Sequence, residues 1–63
     1  MKVYIDKEDR TITIKAGTVK ELLQKLKIPS NVVIVTRNNK IIIETEKLNL
    51  KDSLRIIYVV SGG

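Results

Sequence analysis

The chain has no cysteine, no histidine, no phenylalanine and no tryptophan, and it carries one proline and two tyrosines among 63 residues. Without cysteine there is no disulfide, no thiolate metal site and no thiol nucleophile. Without histidine as well, the usual zinc, Ser-His and Cys-His constellations cannot be assembled. No apolar run approaches the about 18 residues that a membrane span requires. The opening Met1-Lys2-Val3 enters a strand pattern at once. The expectation is therefore a cytoplasmic protein with no signal segment and no membrane partner.

Acidic residues are also in the minority, seven against twelve Lys and Arg, which gives a formal charge of +5. The basic residues are scattered rather than clustered. Tyr4 and Tyr58 are the only aromatic platforms on which bases could stack. A solvated, Lys-rich surface is the expected meaning of the charge, with no nucleic-acid partner. Arg37 and Arg55 are read in the same way, as solvated charges, the alternative being that they pair with acidic surfaces of a partner.

What is abundant is β-branched and aliphatic: ten Ile, seven Val and six Leu. Such side chains favour strands. A chain of about 60 residues makes a single domain that buries only about 60% of its unfolded surface. The expected organisation is one domain over residues 1–60 and a flexible tail, Ser61-Gly62-Gly63.

Val3-Tyr4-Ile5 and Thr11-Ile12-Thr13-Ile14-Lys15 alternate around the polar turn Lys7-Glu8-Asp9-Arg10, the pattern of a hairpin with one buried face. Its buried set is Val3, Ile5, Ile12 and Ile14. Ala16-Gly17 ends the strand, and Thr18 with Glu21 forms a capping-box pattern. Val19, Leu22, Leu23 and Leu26 then recur at helical spacing as one apolar stripe, and Pro29 stops the helix. Val32 to Val35 and Lys40 to Ile43 flank Asn38-Asn39, residues suited to a tight hairpin turn. Leu48-Asn49-Leu50 reads as a short turn over the core edge, and Leu54 to Val60 as the last strand.

One hairpin, one helix and further strands imply a sheet with a single face covered by the helix. The later strands nevertheless carry apolar residues at both parities. On the last strand Leu54, Ile56 and Tyr58 are assigned to the helix side, which leaves Ile57 and Val59 on the open face. An exposed apolar patch there marks a partner-binding surface, at which Tyr58 also qualifies as a contact. The alternative is that a loop or a second copy of the chain covers the patch.

The ββα order with its further strands, the helix start Ala16-Gly17-Thr18-Val19-Lys20-Glu21-Leu22-Leu23, the turn Thr36-Arg37-Asn38-Asn39-Lys40 and the ending Val59-Val60-Ser61-Gly62-Gly63 together resemble the ThiS/MoaD family. These are ubiquitin-like sulfur carriers. The resemblance covers essentially the whole chain and departs at two places. Asn39 stands where glycine is frequent, and Leu50-Lys51-Asp52 where Asp-Gly-Asp is common. It implies an α+β, ubiquitin-like β-grasp fold: a mixed four- to five-stranded sheet with one main helix packed on one face.

The resemblance also implies a protein cosubstrate rather than an enzyme. The Gly63 carboxylate would be adenylated by a ubiquitin-activating-type adenylyltransferase that uses MgATP, the chain itself holding no cofactor. Sulfur from a persulfide donor such as a cysteine desulfurase would then leave a thiocarboxylate. An acceptor would consume it: thiazole synthase, the large subunit of molybdopterin synthase, or a tRNA-thiolating enzyme. Gly63 has no Cβ to shield its carbonyl, and Gly62, with Ser61 before it, lets the stem thread a narrow channel. Two alternatives stand beside this reading. One is a protein modifier joined to lysines through Gly63; the other is a basic nucleic-acid-binding β-grasp module whose glycines are idle.

Overall fold

The computed structural model describes residues 1–59. Strand β1, Lys2–Ile5, and strand β2, Arg10–Thr13, form an antiparallel hairpin that pairs Val3 with Ile12. Its turn is a short 3-10 segment over Asp6–Glu8, closed by Asp9 in the left-handed conformation, φ 47°. Short polar side chains tolerate that conformation best. Tyr4 fastens this turn from the sheet, its hydroxyl donating to Asp9 Oδ1 at 2.6 Å. The N-terminal ammonium donates to the Ile14 carbonyl and the Ile14 N–H donates back to Met1, which lengthens the ladder by one pair.

Helix α1, Val19–Leu26, begins at Thr18, whose hydroxyl accepts from the Glu21 N–H at 3.2 Å. The reciprocal half of the expected capping box is displaced by one residue, because the Glu21 carboxylate accepts from the Gly17 N–H at 3.1 Å. The remaining orphan N–H groups of the first turn are met by a crossing loop. Val19 donates to the Glu46 carbonyl and Lys20 to the Glu44 carbonyl. At the other end Lys27 turns left-handed, φ 58°, its N–H donating to Gln24 and that of Ile28 to Leu23. This double bond pattern is the Schellman arrangement, which usually employs glycine. The helix therefore ends at Leu26, three residues before Pro29.

Strand β3, Val33–Arg37, and strand β4, Lys40–Ile42, are joined by Asn38-Asn39 at φ 55° and 65°. Two successive left-handed residues are what a type I′ hairpin demands, and asparagine supplies them without glycine. Strand β5, Ser53–Tyr58, lies between β1, to which it is parallel, and β3, to which it is antiparallel. The order β2-β1-β5-β3-β4 makes one five-stranded mixed sheet. With α1 on one face, this is the α+β β-grasp architecture expected from the sequence.

The core lies between α1 and that face, centred on Val3, Val19, Leu22 and Ile56, all fully buried. Ile12, Ile14, Leu26 and Tyr58 are half-buried and pack around it. Lys7 Nζ sits 4.8 Å from the centre of the Tyr58 ring. No helix among the described residues is long and apolar enough to cross a membrane.

Arg37 is not the solvated charge expected from sequence. Its guanidinium donates to Glu46 Oε2 at 2.6 Å, to Asp52 Oδ2 at 3.1 Å and to the Lys47 carbonyl at 3.0 Å. Asp52 also accepts from the Asn49 N–H at 2.9 Å and closes the turn Asn49–Asp52. Arg37 shares a face with Val33 and Val35, and so it points to the side of the sheet where this loop crosses. These bonds, the one to Glu46 foremost, hold the guanidinium further in its charged form than usual. The Asp52 carboxyl lies below the ordinary range, first through the Asn49 N–H and then through Arg37.

Candidate functional site: the open sheet face and the chain leaving it

The sheet face opposite α1 is built by the alternate residues of each strand. Register places Ile34 beside Ile57, Thr36 beside both Arg55 and Ile41, and Tyr4 beside Thr11 and Arg55. At one end this face is apolar, formed by Ile34 and Ile57, with Val59 just beyond the end of β5; Ile41 adds an exposed apolar side chain on the outer strand, in the row of Thr36. At the other end it is polar: Arg55 lies with its guanidinium 5.3 Å from the centre of the Tyr4 ring. The Tyr4 phenol is held above its usual range, chiefly by its hydrogen bond to Asp9.

Parity on β5 follows the expectation. Leu54 and Ile56 are buried on the helix side, while Val59 is 52% exposed and Ile57 half-buried. Tyr58 is thereby separated from Ile57: it belongs to the helix side, where it packs at the core margin. Two residues that sequence reasoning did not single out join the face, Ile34 and Ile41. Ile41 is the most exposed large apolar side chain of the described residues, at 69%. A signal for both existed in the apolar runs Val32 to Val35 and Ile41 to Ile43, whose second parity had no helix to cover it.

Val59 is anchored at the rim of this face, its N–H donating to the Val32 carbonyl at 3.0 Å. Val59, the last described residue, therefore lies beside the apolar end of the open face. Ser61, Gly62 and Gly63, the expected stem and reactive terminus, lie outside the described residues. Among the described residues no cluster of acidic side chains is arranged to hold a metal ion.

Comparison with known proteins gives one positive finding. A sequence model of the ThiS family matches residues 3–63, which takes in the helix, all of the described strands but the first residue of β1, and both terminal glycines. No curated protein matches the chain.

Proposed function

The chain belongs to the ThiS family, a family of small sulfur carriers rather than enzymes that work with activating and acceptor enzymes, and from that premise we propose that its cargo rides on Gly63. A carboxylate is a poor electrophile, so the Gly63 carboxylate is first adenylated by a ubiquitin-activating-type partner at the expense of MgATP. The terminal sulfur of a persulfide donor, such as a cysteine desulfurase, then attacks the adenylate and expels AMP to give an acyl disulfide. An external thiol cleaves its S–S bond, leaving the Gly63 thiocarboxylate and a disulfide between the donor and that thiol. An acceptor synthase, of the thiazole or molybdopterin type, takes the sulfur on.

The observation that carries this reading is the Gly62-Gly63 pair, reached by the family match, in a sequence without cysteine or histidine. Without a thiol the chain cannot hold sulfur as a persulfide of its own. Gly63 offers an unshielded carbonyl, and Ser61-Gly62 is a stem thin enough to enter an enclosed active site. Ile57 and Val59, with Ile34 beside Ile57 and Ile41 further out on the same face, supply the surface by which the activating enzyme grips the domain. Tyr58 supports that face from behind.

The test is deletion of Gly63. Thermal stability is expected to be unchanged, while ATP-dependent adenylation by the cognate activating enzyme is abolished. Adenylation of the truncated chain at the normal rate would refute the assignment.

A further inference from the structure

The two edges of the sheet are built differently. The β2 edge, Arg10-Thr11-Ile12-Thr13, carries an arginine and two threonines, the kind of polar sequence that blunts an edge against pairing. The β4 edge and the two residues after it read Lys40-Ile41-Ile42 and then Ile43-Glu44, three consecutive isoleucines with no proline and no charge among them, Glu44 opening the next turn. Ile41 and Ile43 are 69% and 67% exposed.

Backbone direction makes this edge receptive. Arg37 and Lys40 close the two-residue hairpin as a hydrogen-bonded pair, and so Lys40 and Ile42 spend their backbone groups on β3. Ile41 then points its N–H and C=O away from the sheet, and the N–H of Ile43 follows. The Ile43 carbonyl accepts from the Glu46 N–H at 2.9 Å and retains a second lone pair.

The segment is also complementary to itself. Set antiparallel to a second copy about a two-fold axis at Ile42, Ile41 lies opposite Ile43 of the second copy and Ile42 opposite its own counterpart. Lys40 then faces Glu44 of the second copy at both ends. Within one chain, among the described residues, neither Lys40 nor Glu44 has an ion-pair partner. We propose that the β4 edge is a self-association surface, and that two copies of this chain pair through Lys40–Glu44 into one continuous sheet with two symmetric ion pairs. The occupant is a second copy because its charge order matches this edge at both ends. The interface is short, so the dimer is weak, with dissociation in the range of about 10 to 1000 μM.

Sedimentation of the full chain from about 10 μM to about 1 mM tests this. The expected result is reversible dimerisation. K40E and E44K each set like charges opposite one another twice and are expected to weaken the dimer roughly tenfold or more. Both side chains are exposed, so both variants remain folded by circular dichroism. An equimolar mixture of K40E and E44K is expected to form a heterodimer, and the double variant K40E/E44K to recover the homodimer. A wild-type chain that stays monomeric to about 1 mM would overturn the proposal. So would single variants that dimerise as well as wild type, or a mixture that stays monomeric.

Discussion

The two faces of β5 carry the same kind of residue to opposite fates. Leu54 and Ile56 are 4% and 0% exposed, whereas Ile57 is half-buried and Val59 half-exposed beyond the strand end. The side chains do not make this difference; what lies above them does. An eight-residue helix covers one face of a five-stranded sheet, and among the described residues no layer covers the other. In a chain this small, apolar residues beyond those one helix can cover are better explained by recognition than by folding.

The comparison can be broken most forcefully at Ile56. Truncation of this fully buried side chain to Ala is expected to cost about 2–5 kcal/mol, measured by urea denaturation. Arg37→Ala comes next, because it removes donors to Glu46, Asp52 and Lys47 at once and releases the loop that caps α1. Its expected signature is a smaller loss of stability with faster amide exchange at Val19 and Lys20, whose N–H groups that loop satisfies.

A pH effect follows at Asp52. Its folded-state carboxyl is depressed below the unfolded value near about 4. The stability it contributes is therefore present above that value and lost as pH falls through the folded value. Asp52→Asn is expected to lower stability at neutral pH and to flatten the acid limb of the stability profile, as read by urea melts between pH 2 and pH 7 (the limits being about the span of carboxylate titration). An unchanged acid limb would show that Asp52 is not held as described.

The smallest effect on stability is expected from Ile57→Asp, under about 1 kcal/mol, because the side chain lies on the uncovered face. Its effect belongs to docking, at about tenfold or more weaker binding of the activating enzyme. Unfolding on the scale of Ile56→Ala would mean that the two faces are reversed.

Much of this contrast is legible in the residues. The stripe Val19, Leu22, Leu23 and Leu26, the capping Thr18 and the turn at Asn38-Asn39 each name their element, because each depends on local physics. The parity of β5 is readable too, once the helix is counted as a single cover. Three features are not carried by residue types. Arg37 reads as solvated until the loop through Glu46 and Asp52 is seen to cross its face, which is a matter of tertiary structure. The other two are local but set by fine geometry: the Glu21 carboxylate reaches Gly17 rather than Thr18, and the helix closes at Lys27, a left-handed residue with none of glycine's usual signal, ahead of Pro29. Ile34 and Ile41 stand between these cases: their pattern is visible in the residues, but the pairing of Ile34 with Ile57 and the place of Ile41 beyond it on the outer strand depend on strand order.

The central claim is chemical and concerns Gly63. It is tested most directly by intact mass spectrometry of the protein isolated from its source cells, with fragmentation to locate any change. The account predicts a species in which one oxygen at Gly63 is replaced by sulfur, sensitive to alkylation and lost when the activating enzyme is deleted. Finding Gly63 only as an ordinary carboxylate, or only in isopeptide linkage to lysines of other proteins, would contradict it.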